Sequence, residues 1–485
     1  MNKFYLTTAI PYVNAKPHVG HALEFVQADV IKRFHKILGD ETLLLSGADE
    51  NSLKNVQAAE TEGITVQQLV DKNSKLFENI AEKLNIQFDV FQRGSNNAHH
   101  QASQELWKKC FENGDIYKKT YTGLYCVGCE LFYEKNELNE KGECFEHPGK
   151  PLEEVSEENY FFKLSKYQDQ IQKLIETDGL KIYPESRKNE ILGFLKEGLQ
   201  DISISRSNKR AKNWGVAVPN DDTQKMYVWF DALNIYQSGV GFGSKEEEYK
   251  KWWPADLHVI GKGIIRFHAV YWPAFLLSAN LPLPKALFVH GYFTVDGQKM
   301  SKSLGNVSDP LDFVNKYRAD ALRYYLLSQI SPFQDGDFSE KRLVEVYNSD
   351  LANGLGNLIS RVAKLCETAN FRQSPSENNH HIIDNFEEYQ KLLSEYRFNE
   401  ALNLVWAKIS KLDKYINDEK PWELLKTPGG NLKRSITAIL EHSVDEIEEI
   451  AILLEPFLPE TSEKIKAQFA TAEIKSAAPL FPRIT

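Results

Sequence analysis

Apolar and polar positions along the first fifty residues follow two different patterns: continuous apolar runs and a helical period. A continuous apolar run from Phe4 to Ala9 predicts a buried strand. After it, apolar residues recur at steps of three and four, which is the period of a helix with one buried face. These residues are Val19, Leu23, Val26, Val30, Phe34 and Ile37. Gly39 stands where such a helix would end, and Glu41 to Ser46 predicts a second strand.

The same patterning divides the rest of the chain. Further helices are expected at about 65–77 and 97–111, and further strands at 202–206, 256–261 and 286–290. A turn-rich, charged segment follows Gly114, and from about Leu343 the pattern is helical almost throughout. The expected fold is α/β: a Rossmann-type doubly wound parallel sheet, split by an insertion and followed by an all-α helical bundle. The expected domains are 1–114 and 216–290 for the two halves of the sheet domain, 115–215 for the insertion, 291–345 for a loop region, and 346–485 for the bundle.

Composition narrows the class of protein. Of the 485 residues, 42 % are apolar and 26 % are charged, which is ordinary for a soluble globular chain. No apolar run is long enough to span a bilayer, and the N-terminus lacks the pattern of a signal peptide, so we expect a cytoplasmic protein without a membrane partner. The net charge of −10 argues against a uniformly basic nucleic-acid coat, although it leaves room for a local basic patch.

Three of the five cysteines lie near one histidine in the charged segment. The pairs Cys126–Cys129 and Cys144–His147 each enclose two residues and are separated by a loop. Two such pairs predict one tetrahedral Zn²⁺ site. All four positions are filled by protein ligands, so the site would be closed and structural, and it would staple a segment with few apolar residues.

Two short stretches are candidates for binding phosphate groups. His18 and His21 fall on the first turn of the first helix, where open backbone N–H groups and the helix dipole favour an anion. A histidine pair at the surface, or half of a metal site, would explain this stretch equally well. Further on, Gly297 to Gly305 holds two lysines and two serines between glycines, and such a loop could close on phosphates. Taken alone, it could also be solvent-facing coil.

Candidate substrate-binding residues lie near strand ends. Asp49 follows the second strand, where an acid can meet an ammonium group or can cap the next helix. The segment from Tyr227 to Tyr236 combines aromatic residues with one acid, and it would suit either an apolar pocket or ordinary core. His268 lies four residues before Trp272 on a predicted helix, where a buried structural histidine is a further alternative.

Taken together, the two phosphate-binding stretches resemble a known pair of motifs. His18-Val19-Gly20-His21 and Lys299-Met300-Ser301-Lys302-Ser303 resemble the two signatures of class I aminoacyl-tRNA synthetases, with Val19 where the first signature has isoleucine. Within that class the chain is similar to the methionyl-tRNA synthetase family from about residue 3 to about residue 470. The resemblance implies activation of L-methionine with ATP to methionyl-adenylate and pyrophosphate, followed by transfer to the 3′ end of tRNA(Met).

The resemblance also implies roles for individual residues. Catalytic roles fall to His18, His21, Lys299 and Lys302, which with Gly20 and Gly291 would bind ATP and its Mg²⁺. The methionine site would comprise Ile10, Tyr12, Asp49, Trp229, Ala232, Tyr236, Ile264 and His268. Tyr12, Trp229 and His268 would offer aromatic edges and a hydrogen-bond donor to the methionine sulfur. The zinc ligands would be Cys126, Cys129, Cys144 and His147, the single-zinc form of the family. The anticodon would be bound by Asn353, Asn357 and Arg361, which step by four along one predicted helix, and by Trp422.

The sequence departs from the family pattern at several positions. Asn51 and Ser52 stand where many members have histidine and glycine, Leu233 where some have proline, and Gly263 where aspartate is usual. The 291–345 region would contact the tRNA stem. The chain shows no appended oligonucleotide-binding domain of the kind that dimerises longer members, so a monomer is expected.

Two alternatives remain open. The cysteine enzyme of the same class places zinc in its substrate pocket, whereas these four ligands are local to one insertion. A tRNA-binding or regulatory protein that lost catalysis would not need His18, His21, Lys299 and Lys302. The insertion of about a hundred residues is too small for the editing domain that the valine, isoleucine and leucine enzymes carry.

Overall fold

The computed structural model describes residues 2–126, 131–133, 138–144, 149–295, 297–299, 308–372, 386–426 and 430–484. The side chains of residues 131–132, 298–299 and 430–434 lie outside this description. The chain forms two compact units, each built from three separate stretches of sequence. Unit 1 comprises Met1–Pro17, Gly39–Asn79 and Gln87–His290, and unit 2 comprises His18–Leu38, Ile80–Ile86 and Gly291–Thr485.

Strands and helices alternate through the first half of the chain, and helices dominate the last third. The strands are β1 (Lys3–Thr8), β2 (Glu41–Ala48), β3 (Val90–Arg93), β4 (Ile116–Cys126), β5 (Leu131–Tyr133), β6 (Glu153–Phe162), β7 (Lys181–Tyr183), β8 (Ile202–Ser203), β9 (Ser205–Ser207), β10 (Ala217–Val218), β11 (Asp221–Met226), β12 (Leu257–Gly261), β13 (Ala286–His290), β14 (Phe293–Val295), β15 (Gln298–Lys299) and β16 (Gly336–Phe338).

The α-helices are α1 (Val19–Ile37), α2 (Leu53–Glu62), α3 (Val66–Lys83), α4 (Asn97–Glu112), α5 (Gln168–Glu176), α6 (Glu185–Leu195), α7 (Val228–Ala232), α8 (Ile235–Ser238), α9 (Glu246–Trp252), α10 (Trp272–Ser278), α11 (Pro310–Tyr317), α12 (Ala319–Ser328), α13 (Glu340–Val346), α14 (Asn357–Ala369), α15 (Phe386–Ser394), α16 (Phe398–Glu419), α17 (Pro421–Leu424), α18 (Gly430–Leu454) and α19 (Pro459–Phe469). Two 3₁₀ segments (Leu164–Tyr167 and Lys262–Ile264) and two π-helical segments (Phe267–Tyr271 and Tyr347–Gly356) lie between them. Within the described residues, no helix is both long and apolar enough to cross a membrane.

A six-stranded parallel sheet forms the centre of unit 1. Its order is β3-β2-β1-β12-β13-β7. Strand order runs outward from β1 in both directions, so the switch point of the doubly wound sheet lies between β1 and β12. Ligands of such sheets bind beyond the carboxyl ends of the strands at this point. The predicted doubly wound parallel sheet is therefore confirmed.

Antiparallel strands complete unit 1. β4 and β6 pair along most of their length in a sheet of order β5-β4-β6-β8, and β10, β11 and β9 form a smaller sheet. The predicted strand over 202–206 is instead two strands, because the chain passes from one sheet to the other at Ile204. The N–H of Ile204 donates to the Tyr160 carbonyl, and its own carbonyl accepts the N–H of Tyr227, both at 2.8 Å.

The edge strand β7 bears on the predicted domain boundaries. It lies inside the range 115–215 expected for the insertion, yet it pairs with β13 in the central sheet. A parallel edge strand here extends the sheet beyond the strands that the pattern predicts. The chain forms two compact units, which do not correspond one to one with the five expected domain ranges. Those ranges stay a prediction.

Helix α1 follows the predicted pattern closely. Its apolar face is buried, and Gly39, two residues beyond its last turn, has a φ of +85°, which a glycine adopts without strain. Arg323 of α12 then fixes α1 within unit 2. The fully buried guanidinium pairs with Asp29 of α1 at 2.8 Å. It also donates to the carbonyls of Leu84, Pro456 and Phe457 at 3.2, 2.8 and 2.7 Å.

Two predicted helices contain segments of another kind. After β12 the chain makes a 3₁₀ turn, a π-helical segment that holds His268, and then α10, which begins at Trp272. The helix predicted to carry Asn353, Asn357 and Arg361 is π-helical through Gly356 and becomes α-helical at Asn357. A π turn holds more residues than an α turn, so a step of four no longer aligns Asn353 with the other two.

Candidate active site

His18 and His21 close the first turn of α1 on itself. His18 is the N-cap residue, and its Nδ1 accepts the N–H of Gly20 at 3.1 Å. The N–H of His18 donates to Nδ1 of His21 at 3.2 Å. The N–H of His21 donates to the His18 carbonyl at 2.9 Å, and that of Val19 to the Ser308 carbonyl at 3.2 Å. The expectation that open backbone N–H groups bind an anion here is therefore wrong, because these donors already have partners.

The imidazole rings supply hydrogen-bond donors in place of the backbone. Each Nδ1 accepts a backbone N–H, so each neutral ring carries its proton on Nε2. The rings of His18 and His21 stack with centroids 3.9 Å apart. Burial lowers the pKa of His18 to about 4. Two neutral N–H donors at the positive end of a helix dipole suit an anion such as a phosphate.

Ser308 lies at the start of this helix. It follows residues 300–307 in the sequence, and its carbonyl accepts the N–H of Val19. Upstream, β15 pairs Lys299 with Thr294 through the backbone. Lys302 and the side chain of Lys299 lie outside the described residues, and their roles stay predictions.

Gly291 has a packing reason to be glycine. A Cβ at this position would lie 2.1 Å from the carbonyl oxygen of Gln334, so the two backbones approach too closely for any side chain. The next residue, Tyr292, donates its N–H to Asp335 Oδ1 at 2.8 Å. The ATP contact expected of Gly291 is a separate prediction.

Asp49 lies at the carboxyl end of β2, next to the switch point. It is buried and forms a parallel bridge with Tyr12, and its N–H donates to the Pro11 carbonyl at 2.9 Å. The helix-cap alternative for Asp49 is wrong, because Ser52 caps α2 by accepting the N–H of Lys54 at 3.0 Å. The backbone of Asp49 is thus fixed beside the backbone of Tyr12.

His268 is locked in one neutral tautomer. Its Nδ1 lies 2.9 Å from the Ile264 carbonyl, which can only accept, so Nδ1 carries the proton. Burial lowers its pKa to about 4. Nε2 therefore accepts the hydroxyl proton of Tyr236, 2.8 Å away. The Tyr236 carbonyl in turn accepts the hydroxyl of Tyr5 of β1 at 2.6 Å, which anchors the group to the sheet.

Trp229 forms the aromatic wall of the same group. Its ring stacks on Phe267 at 3.7 Å and meets Tyr12 and His268 edge-on, each at 6.3 Å. Ala232 is buried on the same short helix, α7. Ile10, Tyr12 and Ile264 are partly buried against the apolar core that contains Trp229 and Tyr236. The structure therefore brings the predicted methionine-site residues Tyr12, Trp229, Tyr236, Ile264 and His268 into one cluster.

His268 and Tyr236 direct their protons to other partners. The N–H of His268 donates to the Ile264 carbonyl, and the Tyr236 hydroxyl donates to His268. A donor to the methionine sulfur would therefore come from another residue of the cluster, and that donor stays a prediction.

The sequence analysis did not identify the polar side chains that lie next to this cluster. Asn51 donates to Asp231 of α7 at 2.6 Å, and His99 of α4 lies 2.8 Å from the other oxygen of the same carboxylate. Arg206 is buried with its guanidinium 4.8 Å from the ring of Tyr125 and 4.7 Å from that of Tyr227. These partners are far apart in sequence, and apolar periodicity carries no signal for them.

Two further departures from the family pattern, Leu233 and Gly263, lie in different environments. Leu233 is buried at the end of α7, whereas Gly263 lies exposed in the 3₁₀ turn after β12.

Half of the predicted zinc ligands can be placed. Cys126 ends β4 and Cys144 follows later in the same insertion, and both thiols are buried. Cys144 Sγ lies 3.5 Å from the Tyr133 hydroxyl. Two buried thiols fit the soft donors that zinc prefers. Cys129 and His147 lie outside the described residues, and the described part of the chain contains no group of three metal-binding side chains.

The predicted anticodon residues lie on unit 2, and two of them have partners within the chain. Asn357 is exposed at the start of α14. Arg361 donates to Asp413 and Asn417 of α16 at 2.6 and 2.9 Å. The side-chain oxygen of Asn353 accepts Nε–H of Arg483 at 2.7 Å. Trp422 is half-buried on the short helix α17.

Comparison with known proteins agrees with this arrangement. The family described as tRNA synthetases class I (M) matches residues 4–363. The methionine–tRNA ligase of Thermotoga maritima is 42% identical over 475 residues, covering 96% of this chain and 74% of the relative. That of Brucella suis is 40% identical over 510 aligned positions, covering 99% and 98%.

Solved structures extend the likeness to three dimensions. The structure of Mycobacterium tuberculosis methionyl-tRNA synthetase in complex with methionyl-adenylate superposes with a TM-score of 0.93 at 36% identity, and the match covers 100% of both chains. The apo form of the same protein gives a TM-score of 0.85 at 33% identity. Sequence and fold agree, and the chain belongs to the methionyl-tRNA synthetases, a family of class I aminoacyl-tRNA synthetases.

Proposed function

We propose that this chain activates L-methionine with ATP, giving methionyl-adenylate and pyrophosphate, and then transfers the methionyl group to the 3′ end of tRNA(Met). The observation that carries the proposal is the hydrogen bond from Val19 to Ser308. It places Ser308, which follows the lysine- and serine-containing segment in the sequence, at the start of α1, where His18 and His21 stack. Positioned donors around a phosphate chain are the main requirement of adenylate formation.

In the first step a carboxylate oxygen of methionine attacks the α-phosphorus of ATP. The bond from that phosphorus to the bridging oxygen breaks, and pyrophosphate leaves with the electron pair. His18 and His21 donate their Nε2–H groups to the phosphate oxygens, while Lys299 and Lys302 neutralise the leaving pyrophosphate. Mg²⁺ bound to ATP would supply further positive charge. The Mycobacterium tuberculosis neighbour carries the product of this step, methionyl-adenylate.

Methionine would be recognised in unit 1. The buried carboxylate of Asp49 pairs with the substrate ammonium group, since an opposite charge offsets the cost of burying an ion. The unbranched side chain lies among Ile10, Trp229 and His268, with Ala232, Tyr236 and Ile264 completing the pocket. A pocket lined by aromatic rings and matched in shape to an unbranched chain would favour methionine over valine and isoleucine.

The remaining predictions belong to the same proposal. Asn353, Asn357, Arg361 and Trp422 would bind the anticodon, and one zinc ion held by Cys126, Cys129, Cys144 and His147 would stabilise the insertion. Bound zinc would supply folding free energy to a segment with few apolar residues. The five domain ranges given above, with tRNA-stem contact by 291–345, complete the proposal. Its substrates indicate that the protein works in the cytoplasm.

The proposal is tested by exchange of labelled pyrophosphate into ATP. We expect exchange with methionine and little with cysteine, leucine or isoleucine. Replacing His21 with alanine removes one donor to the transition state and should lower the exchange rate about 10²- to 10³-fold. Lys302→Ala should lose activity on the same scale.

Equilibrium binding of methionine without ATP serves as the control. It should stay unchanged in His21→Ala and Lys302→Ala, because neither residue belongs to the methionine pocket. Near-normal exchange rates in both variants would contradict the proposed roles.

A further inference from the structure

Asn51 joins two parts of unit 1 through one side-chain amide. Its Nδ2 donates to the Gly94 carbonyl at 2.8 Å and to Asp231 Oδ2 at 2.6 Å. Both N–H groups of the amide are thereby used. The first bond ties Asn51 to the turn after β3, and the second ties it to α7. A side chain with both donors engaged has one defined position.

Asp231 is a firm anchor for this bond. It is buried on α7, and its Oδ1 accepts from the Ser103 hydroxyl and from His99 Nε2, each at 2.8 Å. Nδ1 of His99 lies 2.7 Å from the Ser238 hydroxyl on α8. Burial raises the pKa of Asp231, but the neighbouring His99 and the hydrogen bonds from His99 and Asn51 outweigh it and hold that pKa below its usual value. The carboxylate is therefore an acceptor for Asn51 at neutral pH.

The two ends of this connection carry different parts of the methionine pocket. Asn51 follows Asp49 by two residues at the end of β2. Asp231 lies on α7 between Trp229 and Ala232. The Asn51–Asp231 bond thus links the acid proposed to hold the ammonium group with the helix proposed to enclose the side chain.

The neighbours of Asn51 are committed to other contacts. Glu50 accepts from Arg93, Ser74 and Ser95 at 2.6, 2.7 and 2.5 Å. Ser52 caps α2. Asn51 is thus the residue of the 50–52 loop whose side chain bonds directly to α7.

We propose that Asn51 is a positioning residue for methionine: through Asp231 it sets the separation between Asp49 and the Trp229–Ala232 helix. The inference rests on the proposed function and extends it to a residue that departs from the family pattern. Without the bond, α7 can shift relative to β2, and methionine cannot fill the ammonium site and the side-chain pocket at once. ATP makes no contact that depends on α7 in this proposal.

The test compares kinetic constants of pyrophosphate exchange in Asn51→Ala and in the unchanged chain. We expect the KM for methionine to rise about 10-fold, while the KM for ATP and kcat change less than about 2-fold. Asn51→His should restore most of the methionine affinity, because an imidazole N–H can donate to the same carboxylate. Should Asn51→Ala not fold, Asn51→Ser removes the same bonds with a smaller change in polarity.

A matched control is available in Asn113. Its amide donates to Asp115 at 2.7 Å, so Asn113→Ala removes a bond of the same kind outside the pocket. The KM for methionine should stay unchanged in this variant. An equal rise in both alanine variants, or no rise in Asn51→Ala, would overturn the role of Asn51 alone. Absence of methionine-dependent exchange in the unchanged chain would overturn the proposed function.

Discussion

Both ring nitrogens of His268 are committed to protein partners. Ile264 accepts from Nδ1, and Nε2 accepts the proton of Tyr236. In the proposed methionine pocket His268 would therefore contribute a surface rather than a hydrogen bond. Contacts between sulfur and aromatic rings are worth about 0.3–1.5 kcal/mol.

Recognition of the sulfur through such contacts alone predicts weak discrimination against norleucine, in which a methylene replaces the sulfur. We expect the kcat/KM for norleucine in pyrophosphate exchange to fall only about 2- to 15-fold below that for methionine. Ethionine, which is longer by one methylene, provides the comparison for shape. Discrimination of about 10⁴-fold against norleucine would contradict the inference, because it is typical of a site that hydrogen-bonds its substrate.

Buried histidines also predict the response to pH. Burial lowers the pKa of His268 and of His18 to about 4, against an ordinary value of 6.5. Both rings stay neutral in the folded chain between pH 8 and about 5.5. Methionine binding measured by calorimetry without ATP should therefore be flat across this range. An inflection near pH 6.5 that disappears in His268→Gln would contradict it.

The same pKa values predict a loss of stability in acid. Unfolding frees each imidazole to bind a proton once the pH falls below about 6.5, whereas the folded chain resists protonation until about pH 4. The free energy of unfolding should therefore decrease as the pH falls from 6.5 to 4. Urea unfolding at several pH values measures this, and His268→Gln should show a shallower decrease.

Sequence alone named candidate site residues, but not their hydrogen bonds. His18, Asp49 and Trp229 became candidates because they belong to short stretches with a recognisable pattern. The bond between Asn51 and Asp231 joins residues 180 positions apart. Such a partnership depends on how β2 and α7 meet in the folded chain, and no local period encodes it.

Helices and strands were predicted correctly where the spacing of apolar residues kept one pattern along the whole element. Helix α1 and strand β2 agree with expectation to within two residues at each end. The histidine cap was missed, because capping patterns are written for serine, threonine, aspartate and asparagine. The π-helical segments were missed as well, since a single π turn alters the spacing without changing which residue types occur.

Trp422 on the short helix α17 carries a prediction for tRNA binding. Trp422 of α17 is half-buried, and a stacked base is worth about 1–3 kcal/mol to such a side chain. Trp422→Ala should raise the KM for tRNA in aminoacylation about 5- to 150-fold while pyrophosphate exchange stays unchanged. Phe111→Ala, which removes an exposed aromatic side chain from α4, is the control. Equal losses in both assays would make Trp422 a packing residue.

At the scale of the whole molecule, residues that are far apart in the sequence belong to the same compact unit. Unit 2 contains α1 and the short stretch Ile80–Ile86 as well as everything after Gly291. Arg323 holds these pieces together through Asp29, Leu84, Pro456 and Phe457. The pattern predicted α1 and the helical last third of the chain, but neither the stretch Ile80–Ile86 nor the grouping, to which a buried ion pair between residues of distant segments contributes.

Removing this buried cation should destabilise the chain strongly. Arg323→Ala leaves the carboxylate of Asp29 with less compensation in a buried site, and loss of one partner from a buried pair costs about 3–5 kcal/mol. Urea unfolding should show a lower midpoint. Arg372→Ala breaks an exposed pair with Glu473 and should leave the midpoint nearly unchanged. Similar midpoints for both variants would contradict the role of Arg323.

The discontinuity of unit 2 has a consequence for synthesis on the ribosome. Helix α1 is among the first segments made, yet its partner Arg323 emerges later, and the carbonyls of Pro456 and Phe457 later still. At about 5–20 residues per second, the nascent chain carries α1 without these contacts for on the order of 20–90 s. Its buried apolar face is exposed during that interval, which makes the growing chain a natural client for chaperones that bind apolar segments.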